Sequence, residues 1–140
     1  MGDERAQDAL RWLAYALGDL EAAQSQRGRH VRPRIVATLA QQAAEKSLKA
    51  ALVIDGADPP KSHDLDDLRN RLGASWRVKH RFPDLARLSR YASESRYPDD
   101  IEPVTPIQSA TAVRQAVAVV RIVREDFDRH GVPTAKVAPR

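Results

Sequence analysis

Hydrophobic positions recur at three- and four-residue spacing along most of this chain, and the spacing predicts helices. Over residues 4–24, Leu10, Leu13, Ala14, Leu17 and Leu20 form one stripe, as an amphipathic helix requires. Trp12 and Tyr15 fall on an adjacent face, which either widens the buried surface or serves a partner. Pro33 suits a first helical turn and opens a second helix over 33–54. There Ile35, Leu39, Ala43, Ala44, Leu48, Ala51 and Leu52 keep register, while Lys46 and Lys49 sit off the stripe. The stretch "DGADPP" then stops the helix with Gly and a Pro pair.

A shorter helix is expected from about Asp64 to Leu72. Asp64 precedes Asp67 by three residues and leads into Leu65, Leu68 and Leu72, the pattern of an N-cap with an acid in the first turn. Ser62 is an alternative cap one turn earlier. The adjacent His63 and Asp64 resemble a catalytic pair, but neighbours in a capping segment diverge rather than converge on one atom. His63 is therefore read as a residue that fixes the loop. After the basic segment "ASWRVKHRFP", Pro83 and Asp84 start another helix, with Leu85, Leu88 and Tyr91 on one face, and Pro98 ends it. The last helix runs over 106–130. Its "AVAVVRIV" is rich in β-branched residues, yet Ala116, Val120, Val123 and Phe127 keep a helical period. The pattern predicts one all-α domain over residues 1–130, an up-and-down helical bundle of four to five helices. Residues 131–140, "GVPTAKVAPR", are expected to form a flexible tail.

Composition narrows the chemistry. The 140 residues contain no cysteine, so disulfides and thiol chemistry are excluded, and no metal-ligand spacing stands out. Neither a metal nor a cofactor is expected. No apolar run approaches membrane-spanning length, and "MGDERAQDAL" has no signal-peptide core, so a cytoplasmic protein without membrane contact is expected. The net charge of +4 is unevenly spread. Seven Lys or Arg residues lie between Arg69 and Arg90 against one acid, Asp84, and a second knot carries Arg27, Arg29, Arg32 and Arg34. With 18 Arg among 23 cations, phosphate-bearing partners are credible, because guanidinium forks contact phosphate bidentately. A solvated basic face explains the same charges equally well.

Three segments in order, "QQAAEKSLKAALVIDGADPPKSHDLDDL", "LSRYASESRYPDD" and the long Ala- and Val-rich closing helix, resemble a HEPN domain. They are similar in particular to the subgroup encoded beside minimal nucleotidyltransferases, and in fold to the C-terminal helical domain of kanamycin nucleotidyltransferase. The resemblance covers roughly residues 5–130. It implies one of two roles. Some HEPN proteins are metal-independent ribonucleases, often toxins, marked by an Arg and a His with four to six residues between them. Others lack that pair and bind or assist a nucleotidyltransferase.

One suitable match exists here, "REDFDRH", from Arg124 to His130, although Glu125 replaces the Asn, Asp or His common after the Arg. In such a site a neutral imidazole takes the proton from a ribose 2′-hydroxyl, and a guanidinium stabilises charge on the phosphorane. Six residues along a helix amount to about 600°, which leaves the two side chains roughly 120° apart. They converge only if the helix unwinds between them or a second protomer completes the site. The resemblance places such pairs around a dimer cleft, so a symmetric homodimer is expected. A His in a last helical turn is also favoured by the dipole alone, and Arg124 with Asp128 makes an ordinary surface ion pair. In "SRYPDD", Arg96 and Tyr97 are candidates for gripping a phosphate and stacking on a base, or for packing within the loop. Lys46 and Lys49 project either to a nucleotide- or RNA-binding face or simply to solvent. Two functions follow. One is a binding partner of a separate minimal nucleotidyltransferase in a toxin–antitoxin-type pair. The other is a ribonuclease toxin using Arg124 and His130.

Overall fold

In the computed structural model, residues 3–26, 30–92 and 103–140 are described. Three long helices dominate: α1 (Asp3–Gln26), α2 (Pro33–Ile54) and α6 (Pro106–Arg129). Between them lie α3 (Leu65–Asn70), α4 (Arg77–Arg81) and α5 (Ala86–Ser89). No strand occurs among the described residues, and the all-α expectation holds. The six helices among the described residues exceed the expected four to five because "RVKHR", read only as part of a basic segment, forms one short helix.

The middle helix organises the rest. Fifteen residues of the 22-residue α2 are buried, on every side of the helix, because α1 and α6 both pack against it. Its many alanines, Ala37, Ala40, Ala43, Ala44, Ala50 and Ala51, let neighbouring backbones approach closely. Arg5, near the start of α1, donates to the Val53 carbonyl near the end of α2 at 2.9 Å, so the two helices run antiparallel. Leu13, Leu17 and Leu20 enter the core as expected, and so do Ala116, Val120, Val123 and Phe127 of α6. Ile35 does not. It is 40% exposed, and Val36, Ala37 and Ala40 are buried in its place.

Helix ends follow the local chemistry. Asp64 caps α3, its side chain accepting from the Asp66 and Asp67 amides, and Ser62 Oγ accepts from the Asp64 amide. Thr105 and Gln108 form a reciprocal capping box before α6, with Pro106 in the first turn. Both α2 and α6 close with a glycine in the left-handed region, Gly56 at φ 94° and Gly131 at φ 78°. After each glycine the next amide returns to the last turn, Ala57 to the Leu52 carbonyl and Val132 to the Phe127 carbonyl.

Residues 131–140, expected as a flexible tail, make specific contacts with the bundle. They are irregular but held: Val132 and Thr134 are buried, and the Arg140 amide donates to the Ala14 carbonyl of α1 at 2.9 Å. Gly18 makes room, since a Cβ there would lie 1.6 Å from the Arg140 carbonyl oxygen.

Candidate functional site

The proposed Arg–His pair sits at the end of α6. The helix continues unbroken through Arg129, so nothing unwinds between Arg124 and His130. His130 is the C-cap. Its Nδ1 lies 2.7 Å from the Asp126 carbonyl and its Nε2 lies 3.0 Å from Ser75 Oγ. The ring stacks on buried Trp76 with centroids 4.2 Å apart. Arg124 turns elsewhere and donates to the Thr134 carbonyl at 2.9 Å. Asp128, expected to pair with Arg124, accepts instead from the Thr134 amide at 3.0 Å. Arg124 and Asp128 therefore grip the tail together, while His130 closes the helix against the segment before α4. The structure does not bring Arg124 and His130 to one point within the chain.

Lys46 and Lys49 are not equivalent. Lys46 is half-buried and pairs with Asp19 of α1 at 2.6 Å, beside the ring of Tyr15. Lys49 is buried, which corrects its expected place on a solvent or partner face, because α2 has no open side at that level. Its ammonium donates to Glu45 Oε2 at 3.0 Å and lies 6.0 Å from the Trp12 ring centroid. Glu45 Oε1 accepts from Gln41 at 3.0 Å and contacts His63 Nδ1 at 2.9 Å. Gln41 also reaches the His63 carbonyl, so this cluster ties the loop after α2 to the helix core. That agrees with the reading of His63 as a residue that fixes the loop. Burial pushes the Glu45 carboxyl upward, but hydrogen bonds from Gln41, His63 and Lys49, with the charge of Lys49, outweigh it. Its pKa lies below the ordinary 4.5.

Arg96 and Tyr97 lie outside the described residues, as do Arg27 and Arg29. Within the basic stretch 69–90 the structure separates internal from available charge. Arg69 is buried, paired with Asp66 at 2.6 Å and bonded to the Phe82 carbonyl. Arg71 pairs with Asp67 at 3.1 Å. Arg77 reaches the fully buried Asp126 of α6 at 3.1 Å, and Lys79 donates to the Asn70 and Leu72 carbonyls. Asp126 also accepts from the Val78 amide at 3.0 Å, which locks α4 onto α6. These four cations serve the fold. Arg87 and Arg90 make no side-chain hydrogen bond or ion pair among the described residues, and both are exposed. They border an open groove of about 1050 Å³ between α5 and the first half of α6, where Arg114 faces them. The sequence pattern marked the basic stretch but could not sort its members.

The HEPN domain family model matches residues 9–129. The chain belongs to the HEPN domain family. Membership supports a role connected with nucleotides or RNA at the level of the family. Among solved structures, this HEPN chain is similar to the crystal structure of TT1696 from Thermus thermophilus. The two share 26% identity with a TM-score of 0.69, over 87% of this chain and 98% of the other. None of the curated proteins matches the chain. No described helix is long and apolar enough to cross a membrane, and no cluster of three or more metal-ligating side chains occurs among the described residues.

Proposed function

We propose that this HEPN protein is a nucleotide- or RNA-binding partner of a separate minimal nucleotidyltransferase, in a two-protein system of toxin–antitoxin type. One observation carries the binding role over the catalytic one. Both ring nitrogens of His130 and the guanidinium of Arg124 are engaged within their own chain, on Asp126, Ser75 and Thr134. A general base needs a ring nitrogen that reaches the ribose hydroxyl, and a phosphorane stabiliser needs a guanidinium beside it. Neither condition is met by this arrangement. A binding role requires only a surface, and Arg87, Arg90 and Arg114 supply positive charge that no carboxylate among the described residues neutralises in an ion pair.

The resemblance of "QQAAEKSLKAALVIDGADPPKSHDL" to HEPN chains encoded beside minimal nucleotidyltransferases supports the identity of the partner. The chain itself carries no strand-borne Gly-Ser and paired-Asp motif of a nucleotidyltransferase, so the catalytic half would come from that second protein. In this reading the HEPN chain acts as a homodimer in the cytoplasm.

The test is co-expression with the minimal nucleotidyltransferase of the same genome, followed by co-purification and size measurement, beside an RNA cleavage assay in EDTA. Stable co-elution and no cleavage are the expected results. Cleavage that leaves 2′,3′-cyclic phosphate ends, and is lost in both Arg124→Ala and His130→Ala, would replace the binding role with the ribonuclease one.

A further inference from the structure

We infer that the groove between α5 and the first half of α6 is a binding site for the polyphosphate chain of a nucleotide. The site lies at the opposite end of α6 from His130: Arg114 and His130 are sixteen positions apart, about 24 Å along the axis. It therefore does not restate the Arg–His pair.

Three features define it. First, its charge is arranged for an anion. Arg87 and Arg90 have no intramolecular partner among the described residues, and Arg114 is steadied by Thr111 Oγ1 at 3.1 Å. The one acid among the described residues that line the groove, Asp84, accepts from the Ala86 amide at 2.9 Å, which turns it toward the start of α5. Elsewhere in the basic stretch, cations that can find an internal acceptor have done so, as Arg69, Arg71, Arg77 and Lys79 show. Second, the groove is amphipathic. Leu88, Val104 and Ile107 give it an apolar wall, Ile107 remains 79% exposed, and the half-buried Tyr91 offers a ring. A base and a sugar need such a wall, whereas a simple inorganic anion does not. Third, the volume of about 1050 Å³ sits at the upper end of small-molecule sites and leaves room for a base and its phosphates. Arginine forks contact phosphate oxygens in pairs, and three of them around one groove suit a chain of phosphates better than one.

Arg90–Tyr91 and Pro103–Val104, the described residues on either side of the segment that carries Arg96 and Tyr97, both line this groove. The reading rests on binding alone and needs no nucleotidyltransferase. Loss of that partner would leave it untouched, and its own failure would leave the partner reading standing.

The experiment is calorimetric titration of the purified chain, in EDTA, with ATP, tripolyphosphate, adenosine and a short single-stranded RNA. ATP and tripolyphosphate are expected to bind, more weakly as salt rises, and adenosine far more weakly. Arg87→Gln, Arg90→Gln and Arg114→Gln should each lower ATP affinity on the order of tenfold. Arg121→Gln, exposed on α6 outside the groove, should not. Tyr91→Ala should weaken ATP but leave tripolyphosphate unchanged, which separates base contact from phosphate contact. No ATP binding at millimolar concentration would overturn the inference. So would equal binding by an Arg87→Gln, Arg90→Gln double variant with an unchanged circular dichroism melt. Binding of the RNA alone, through the same arginines, would overturn the nucleotide class in favour of RNA.

Discussion

Replacing Glu45 by Gln removes one charge from a cluster that the core can hardly rearrange. Lys49 and Glu45 have side chains only 8% and 11% exposed, and their atoms meet at 3.0 Å. With the carboxylate gone, the Lys49 ammonium faces a neutral amide in a place water barely enters. Breaking a buried pair from one side costs about 3–5 kcal/mol. His63, with 37% of its side chain exposed, opens one flank to solvent, so the lower end, about 3 kcal/mol, is the appropriate expectation. For a domain of this size that shifts Tm by roughly 10 °C. Lys49→Met alone should cost less, about 1–2 kcal/mol, because Glu45 keeps its bonds to Gln41 and His63 and can take up a proton. The double variant Glu45→Gln, Lys49→Met has no buried charge left and should be more stable than Glu45→Gln alone by about 2 kcal/mol. Urea titrations followed by circular dichroism measure all three. If the single costs add to within about 0.5 kcal/mol in the double variant, the two side chains are not coupled and the account of a buried pair is wrong.

The same cluster sets a pH dependence. Glu45 has a lower pKa folded than unfolded, so its contribution is present above about pH 4.5 and disappears as pH falls through the folded value. An acid titration of wild type should therefore be steeper below that pH than one of Glu45→Gln. Asp126→Ala removes the acceptor shared by Arg77, Arg129 and the Val78 amide from a fully buried position, and should cost about 3 kcal/mol in urea unfolding. Gly18→Ala should displace the end of the tail from α1 without unfolding the bundle, because its Cβ would collide with Arg140. Faster amide exchange confined to the tail would show it, and unchanged protection at Arg140 would contradict the packing. His130→Ala should lower stability by about 1–2 kcal/mol through lost stacking and capping, with no change in RNA cleavage.

Much of the fold was legible because the sequence signals its helices twice, by period and by end chemistry. Pro33, Asp64 and Pro106 start helices where the pattern put them, and Gly56 and Gly131 stop them. Even the capping box "TPIQ" was present to be read before the last helix. What one helix's pattern cannot reveal is how many neighbours it has. Lys49 looked exposed because it lies off the apolar stripe of α2, yet α2 is covered on all sides at that level, and Ile35 in the stripe is left half open. The contacts of the tail were illegible for a related reason. Its ten residues show no period, and their contacts come from specific side chains at the end of α6, Arg124 and Asp128, and from Ala14, which lies far away in sequence.

Charge was the least legible property, and it bears most on function. Along the sequence, Arg69, Arg77, Arg87 and Arg90 belong to one basic run and carry equal weight. In the fold, Arg69 is itself buried and held by Asp66 and the Phe82 carbonyl, while Arg77 ends on the fully buried Asp126, whose desolvation it offsets. Arg77 cannot turn to a ligand without weakening the pairing of a buried carboxylate, and Arg69 cannot do so without leaving its buried site. Arg87 and Arg90 carry no such obligation among the described residues, and binding a phosphate there breaks no side-chain bond within them. The same distinction weakens the Arg–His pair: recruiting His130 to a ribose hydroxyl means breaking its contact with Ser75 or the Asp126 carbonyl, and recruiting Arg124 means releasing the tail. Spacing in sequence nominates residues for chemistry, but the partners a side chain already holds decide whether it is available for it.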